Sequence, residues 1–134
     1  MTPEEKKNLA KIRFEHAEQC LKTAKSIILH EKDYKSAANR SYYAIFHAMR
    51  SVLALDGIDN KKHSGIIAEF RRLYIKTGVF KPSMSEIIAM LFKIRNDSDY
   101  DDYYIVDKDK VEEQIKNAEL FLSEIKIYLD SKIY

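Results

Sequence analysis

Apolar residues recur at alternating spacings of three and four along most of the chain, which is the period of one face of an α-helix. The first stripe predicts a helix running to about His30, and the second predicts a helix from a cap at Asp33 to about Leu55. A third helix is predicted from near His63 to a stop at Gly78, followed by two more helices. The clearest stripes are Ala10, Phe14, Ala17, Leu21, Ala24 and Ile28 in the first helix, and Val111, Ile115, Ala118, Leu122, Ile125 and Leu129 in the last.

Local start signals agree with these stripes. Thr2 and Glu5 have the spacing of a capping box, and Ser83 with Glu86 repeats it before the fourth helix. Asp109 is predicted to open the last helix. No internal repeat or linker divides the chain. We therefore predict an all-α fold, an up-and-down antiparallel bundle of about five helices, in a single domain covering residues 1–134.

Composition supports the all-α prediction and narrows the cellular setting. Apolar residues make up 46% of the chain and charged residues 33%, which is typical of a globular domain, and three Gly with two Pro are too few for the turns of a β protein. Cys20 is the only cysteine, so no disulfide can form within the chain. Neither a signal segment nor an apolar run of about 20 residues is present. We expect a soluble cytoplasmic protein with no membrane contact.

Charge is unevenly distributed although its sum is small. The formal net charge is +2, which gives no general attraction for nucleic acid. The charged residues within 61–81 are mostly Lys and Arg, whereas those within 97–113 are mostly Asp and Glu. The simplest interpretation is two solvated faces of opposite sign.

Arg95 is the residue that the helical pattern leaves unexplained. It follows Leu91 by four residues and Ile88 by seven, so it extends an apolar stripe. A guanidinium in that position must be paired, must reach water, or must be kept for a ligand. Asp99 stands four residues further on, within reach of an ion pair if the helix continues that far.

A second group of polar and aromatic residues falls within a narrow arc of the second helix. Arg40, Tyr43, His47 and Arg50 could line a groove or a subunit interface, although a solvated face is the favoured interpretation. His63 lies at a junction between a loop and a helix, and is interpreted as a polar junction residue unless the fold brings it near Arg95.

No metal site or cofactor is expected. The histidines lack the spacing of zinc ligands, and the cysteine stands alone. Residues 97–101 begin like a calcium loop, but Asp102 stands where that loop needs Gly and Lys108 where it needs Glu.

Three blocks in the chain resemble the signature of a HEPN domain (higher eukaryotes and prokaryotes nucleotide-binding). They are residues 37–48 (AANRSYYAIFHA), residues 62–65 (KHSG) followed by Phe70, and Arg95 through Asp99 and Tyr100. The resemblance covers nearly the whole chain and is closest to small stand-alone prokaryotic HEPN proteins. It implies a helical bundle that is usually a homodimer, often encoded beside a minimal nucleotidyltransferase in a toxin–antitoxin pair.

The resemblance also implies an activity and a site. Many HEPN proteins are metal-independent endoribonucleases whose motif is an arginine and a later histidine with four to six residues between them. Arg95 and the neighbouring Asn96 match this motif, but Tyr100 stands where the histidine is expected. A phenol titrates near ~10, so its use as a base at neutral pH costs roughly 4 kcal/mol. The surrounding aspartates would also repel an RNA phosphate.

Three interpretations follow from this departure. In the first, the chain is a toxin-like ribonuclease in which Arg95 stabilises the transition state and Tyr100 positions the substrate. In the second, it is a non-catalytic module that binds a nucleotide, RNA or the nucleotidyltransferase, which in related pairs adds AMP to a tyrosine. Tyr100, Tyr103 and Tyr104 are the candidate acceptors. In the third, Arg95 and Asp99 form a purely structural ion pair at a dimer interface.

Overall fold

The computed structural model describes residues 1–134 and contains five α-helices and no strand. Helix α1 spans Pro3–His30, α2 spans Tyr34–Leu55, α3 spans His63–Phe70, α4 spans Ser83–Tyr100 and α5 spans Lys108–Ile133. A short π-helical turn, Arg71–Ile75, continues α3. The predicted all-α bundle is confirmed.

Helix α2 lies at the centre of the bundle and packs against each of the other four helices. Small side chains on α2 permit this close approach, since Ser41, Ala44 and Ala48 are completely buried. Only residues 31–33 separate α1 from α2, so the two long helices run back along each other. The apolar stripes predicted for α1 and α5 close over α2 and form a single core.

The helix starts follow the sequence signals in part. The Thr2 hydroxyl accepts a hydrogen bond from the Glu5 amide at 3.1 Å, and the Glu5 carboxylate accepts from the Thr2 amide at 3.1 Å, as the capping box predicts. The box predicted at Ser83 is wrong. The helix already includes Ser83 in its first turn, so Pro82 occupies the cap position. The proline side chain has no hydrogen-bond acceptor, and no side-chain cap forms.

Helix α4 continues into the acidic segment and includes its first four residues, 97–100. It ends only at Tyr100, so Arg95 lies inside a regular helix and its backbone is held by the helical hydrogen bonds. Helix α5 begins slightly earlier than predicted, because the Asp107 carboxylate caps it by accepting from the amides of Asp109 and Lys110. Among the helices, none combines the length and hydrophobicity that a membrane crossing requires.

Candidate functional site

The arginine that the sequence singled out lies against a pair of tyrosines from the central helix. The Arg95 guanidinium carbon is 5.4 Å from the ring centre of Tyr42 and 5.7 Å from that of Tyr43. Its Nη2 donates a hydrogen bond to the Tyr43 hydroxyl at 3.3 Å. The α4 side chain is therefore oriented by two consecutive residues of α2, through ring faces that attract a cation.

Arg95 also has an anionic partner on its own helix. The Arg95 Nε lies 3.0 Å from an Asp99 carboxylate oxygen, and the two side chains are 15% and 27% exposed. The contact is a close ion pair rather than an aligned hydrogen bond, since the Nε–H has no hydrogen-bond acceptor. The pairing predicted across one helical turn is thus confirmed, and it neutralises part of the guanidinium charge.

His63, at the first position of α3, is placed beside the same tyrosines. Its ring stacks on Phe46 with 4.1 Å between centres and meets the Tyr43 ring edge-on at 5.7 Å. Its Nδ1 lies 3.4 Å from the Tyr42 hydroxyl. The sequence left open whether the fold brings His63 near Arg95. It does so through one tyrosine pair that both residues contact, although they are 32 positions apart in the chain.

The protonation states of this cluster follow from burial and from the arginine. Burial raises the pKa of Tyr42 to about 12, despite the opposing effect of Arg95, so Tyr42 remains a neutral phenol. Burial lowers the pKa of His63, and the positive charges of Arg95 and Arg50 lower it further. His63 is consequently a neutral imidazole at pH 7.

The remaining arc residues of α2 border this cluster. The Arg40 guanidinium carbon lies 5.1 Å from the Tyr43 ring centre, on the chain of contacts that leads to Arg95. The His47 ring is 6.1 Å from Tyr43 and 5.9 Å from His16, and burial followed by the charge of Arg50 lowers the pKa of His47 to about 4. Asn96 is half-buried and makes no side-chain hydrogen bond.

The three candidate acceptor tyrosines differ in their surroundings. Tyr100 is 75% exposed, and its ring centre lies 6.0 Å from the Arg95 guanidinium carbon. Tyr103 is 94% exposed in the loop between α4 and α5 and does not contact Arg95. Tyr104 is half-buried and lines a separate cleft with Lys93, Asp97 and Lys110. Only Tyr100 therefore belongs to the Arg95 site.

An open cleft of about 950 Å³ begins at the His63 ring. We call it the basic cleft, and its lining residues are Phe46, Arg50, Asp59, Asn60, Lys61, Lys62 and His63. Its volume lies within the range of about 300–1,000 Å³ typical of small-ligand pockets. Three of the lining side chains are cationic and one is anionic, so the cleft favours an anion.

Arg13 and Asp59 form contacts that support this cleft, and neither was identified as a site residue from the sequence. Arg13 on α1 is buried, and its guanidinium donates to the Arg50 carbonyl oxygen and to the Asp59 carboxylate, each at 3.3 Å. The Asp59 carboxylate also lies 3.9 Å from the Arg50 guanidinium. A signal was available, because Arg13 stands three residues after Ala10 and four before Ala17 and so faces the core.

No group of three or more His, Cys, Asp or Glu side chains converges closely enough to hold a metal ion. The chemistry offered by the side chains themselves is cationic and acid–base. Arg95 supplies a fixed positive charge, His63 a neutral imidazole, and the tyrosine pair connects the two. Such an arrangement suits a phosphate group beside a proton to be moved.

Comparison with known proteins identifies the family. The model of the HEPN domain matches residues 10–128. A protein named "UPF0332 protein" from Thermotoga maritima is 32% identical over 121 residues, covering 90% of this chain and 91% of that protein. Two proteins from Methanocaldococcus jannaschii carry toxin names. "Putative toxin MJ0142" is 31% identical over 95% of this chain and 85% of its own, and "Putative toxin MJ0605" is 35% identical over 84% and 82%. This chain is therefore a member of the HEPN domain family.

Proposed function

We propose that the chain is the toxin-like component of a HEPN and minimal nucleotidyltransferase toxin–antitoxin pair, and that it cleaves RNA without a metal ion at Arg95. The observation that carries this proposal is the placement of Arg95. Its guanidinium is held against two tyrosine rings from another helix, and a neutral histidine contacts the same two rings. Packing alone does not require this arginine to contact the same two tyrosines as an imidazole that borders an anion-favouring cleft.

The role of Arg95 in the reaction follows from its permanent charge. When a ribose 2′-oxygen attacks the neighbouring phosphate, negative charge grows on the non-bridging oxygens. A guanidinium already oriented by Tyr43 stabilises that charge without reorganising in the transition state. Tyr100, whose ring lies beside the guanidinium, limits the positions in which a substrate meets Arg95.

The names of the relatives support the biological setting. Two relatives that align with more than four-fifths of this chain are named as toxins. A toxin that cleaves RNA acts where RNA is translated, in the cytoplasm, and needs an antitoxin partner. In this proposal the nucleotidyltransferase partner silences the toxin by adding AMP to a tyrosine. Tyr100 is the preferred acceptor, because its modification would place a bulky anion beside Arg95.

The surface around the motif is suited to contact with another chain. The last residue of α4 and the segment that follows it expose three large side chains, with Tyr100 at 75%, Tyr103 at 94% and Ile105 at 89%. Exposed apolar groups of this size are common where proteins associate. We assign this surface to the homodimer, in which two Arg95 sites would share one substrate.

RNA cleavage in the presence of EDTA tests the proposal. Wild-type protein and Arg95→Ala are incubated with a labelled single-stranded RNA, and growth is followed when each is expressed in bacteria. We expect Arg95→Ala to lose about 100-fold or more in cleavage rate, as the removal of one fixed charge-stabilising donor typically does. Arg72→Ala is the matched control, because Arg72 is 62% exposed and pairs only with Glu69.

Absence of both cleavage and toxicity in the wild-type protein would refute the ribonuclease. Equal cleavage by wild type and Arg95→Ala would remove Arg95 from the site. Co-expression with the neighbouring nucleotidyltransferase, followed by mass spectrometry, tests the modification. An unmodified protein under those conditions would contradict the acceptor role of Tyr100.

The second candidate is a non-catalytic HEPN module that binds RNA, a nucleotide or its partner protein. The observation that favours it is the pairing of Arg95 with Asp99 in a helix whose motif position 100 is tyrosine rather than histidine. This candidate predicts that the wild-type protein binds RNA or nucleotide in a way that depends on Arg95, while RNA remains intact.

A further inference from the structure

The proposed ribonuclease requires a group that moves a proton. In this chain, Tyr100 occupies the motif position where a histidine usually supplies that group. The four histidines of the chain are His16, His30, His47 and His63. Of these, only His63 contacts both Tyr42 and Tyr43, the residues that orient Arg95. The fold therefore brings an imidazole from a different helix to the tyrosine pair that orients the arginine.

The ring of His63 is held in a defined orientation. One face stacks on the buried Phe46 at 4.1 Å, and the Nδ1 edge meets the Tyr42 hydroxyl at 3.4 Å. In the tautomer with a proton on Nδ1, that nitrogen donates to the Tyr42 oxygen, and Nε2 keeps its lone pair. Because His63 also lines the basic cleft, it is accessible to a molecule bound there.

The charges around His63 keep it ready to accept a proton. The groups that face it are Tyr42, Tyr43 and Arg50 from α2, Arg95 from α4, and Asp59, Lys61 and Lys62 from the preceding loop. Burial first, and then Arg95 and Arg50, lower its pKa. Asp59, the carboxylate that lines the cleft together with His63, is engaged by Arg13 and Arg50, so it offers little opposing attraction.

The basic cleft provides a path for the substrate that leads to this histidine. Arg50, Lys61 and Lys62 present three positive charges along its lining. A nucleic-acid strand is attracted by such charges through its phosphates. A strand lying in the cleft would place one nucleotide against His63, which contacts the same tyrosine pair as Arg95.

We propose that His63 is the proton-transfer residue of this site and that the basic cleft holds the single-stranded RNA on which it acts. His63 Nε2 takes the proton of a ribose 2′-OH, and the 2′-oxygen forms a bond to the adjacent phosphorus. The bond from phosphorus to the 5′-oxygen breaks, and that oxygen takes a proton from water. The products are a 2′,3′-cyclic phosphate and a 5′-hydroxyl, and the imidazolium returns its proton to solvent. This inference rests on the proposed ribonuclease function.

The test compares His63→Asn with wild type, Arg95→Ala and His30→Asn. Asparagine keeps a polar atom near the position of Nδ1 and loses the titrating nitrogen, whereas His30 is exposed at the end of α1 and serves as the matched control. Cleavage is measured in EDTA from pH 5 to 8, with identification of the cyclic phosphate. Binding is measured by fluorescence anisotropy with a labelled 2′-O-methyl RNA, which cannot be cleaved. Thermal unfolding verifies that each variant folds.

We expect His63→Asn to lose about 100-fold or more in cleavage rate, the usual contribution of a positioned acid–base group, while its affinity for the 2′-O-methyl RNA changes less than about threefold. The wild-type rate should rise with pH through a pKa below 6.5, and this rise should be absent in the variant. Imidazole added to His63→Ala should restore part of the rate. Lys61→Ala with Lys62→Ala should weaken RNA binding and reduce its dependence on salt.

The outcomes separate the two proposals. If wild type and His63→Asn cleave RNA at equal rates with the same pH profile, the role of His63 is refuted and the ribonuclease stands. If the variant that combines Lys61→Ala with Lys62→Ala binds RNA as tightly as wild type does, the basic cleft is not the RNA-binding surface. If the wild-type protein leaves RNA intact at every pH, both the ribonuclease and the proton transfer are refuted.

Discussion

The ion pair between Arg95 and Asp99 can be tested as a quantity. A double-mutant cycle would use Arg95→Met, which keeps much of the apolar stem, and Asp99→Asn, which keeps the shape of the carboxylate. At a separation of 3.0 Å the bare Coulomb attraction is ~5–6 kcal/mol with an effective dielectric constant of ~20. Removing two partly buried charges from water offsets most of that attraction. We expect a net coupling of about 1–2 kcal/mol, above the ~0.3–0.5 typical of exposed pairs on a helix.

The coupling is obtained from urea unfolding of the wild type, both single variants and the double variant. Lys93 and Asp97 provide a matched control on the same helix. They have the same spacing and a separation of 2.8 Å, but the Lys93 side chain is 71% exposed. We expect this second cycle to give the smaller coupling, because solvent screens it. If the Arg95 cycle gave no more than the Lys93 cycle, burial would not be strengthening the Arg95 pair.

The same variant distinguishes a structural arginine from one kept for a ligand. If phosphate binds at Arg95, the Asp99 carboxylate competes with it and repels it. Asp99→Asn should then bind 2′-O-methyl RNA more tightly, by about fivefold for ~1 kcal/mol of repulsion removed. Unchanged or weaker binding by Asp99→Asn, in protein shown to be folded, would refute the competition and favour the purely structural pair.

Three further predictions concern single residues. Tyr100→Phe should retain cleavage within about threefold if His63 moves the proton, because only the ring is needed beside Arg95; a loss as large as that of Arg95→Ala, in the same EDTA assay, would make the phenol essential. His47 binds a proton more readily when unfolded, since burial and then Arg50 lower its folded pKa to about 4, so it destabilises the fold as pH falls from about 6.5 towards 4. After allowance for solvent screening we expect urea unfolding to show about 1–2 kcal/mol less pH dependence in that window for His47→Gln than for wild type. Leu91→Ala and Leu122→Ala should each cost ~2–5 kcal/mol in the free energy of unfolding, since both side chains are buried, and neither should alter the pH profile of the proposed RNA cleavage by the folded protein.

The helices could be predicted because their signals are local. The Thr2 capping box and the stripe from Ala10 to Ile28 involve residues within a turn or two of each other. The Ser83 box failed for a local reason as well. The same spacing of Ser and Glu occurs inside a first turn as readily as at its cap, and Pro82 takes the position before it.

The assembly of the site was only partly predictable, because its contacts join distant parts of the chain. Helical spacing was sufficient to predict the Arg95 ion pair with Asp99. In contrast, 21 residues separate Tyr42 from His63, and 46 separate Arg13 from Asp59. No periodicity relates such positions, so the helical pattern could not predict that Tyr42 contacts His63 or that Arg13 contacts Asp59. The structure shows that Tyr42 is a core residue whose hydroxyl reaches the site.

The extension of α4 through Tyr100 changes what Arg95 is able to do. A helix fixes the backbones of Arg95 and Asp99, so the pair is formed before any ligand arrives and only side-chain rotation can open it. The tyrosine contacts are independent of that opening, since Tyr42 and Tyr43 belong to another helix and would hold the guanidinium while its partner changes. In the proposed ribonuclease, Asp99 would be a resident anion in the place that phosphate takes. Arg95 is thereby kept paired in the resting protein and remains oriented towards an incoming anion, which reconciles the ion pair of the structural interpretation with the charge that a ribonuclease requires.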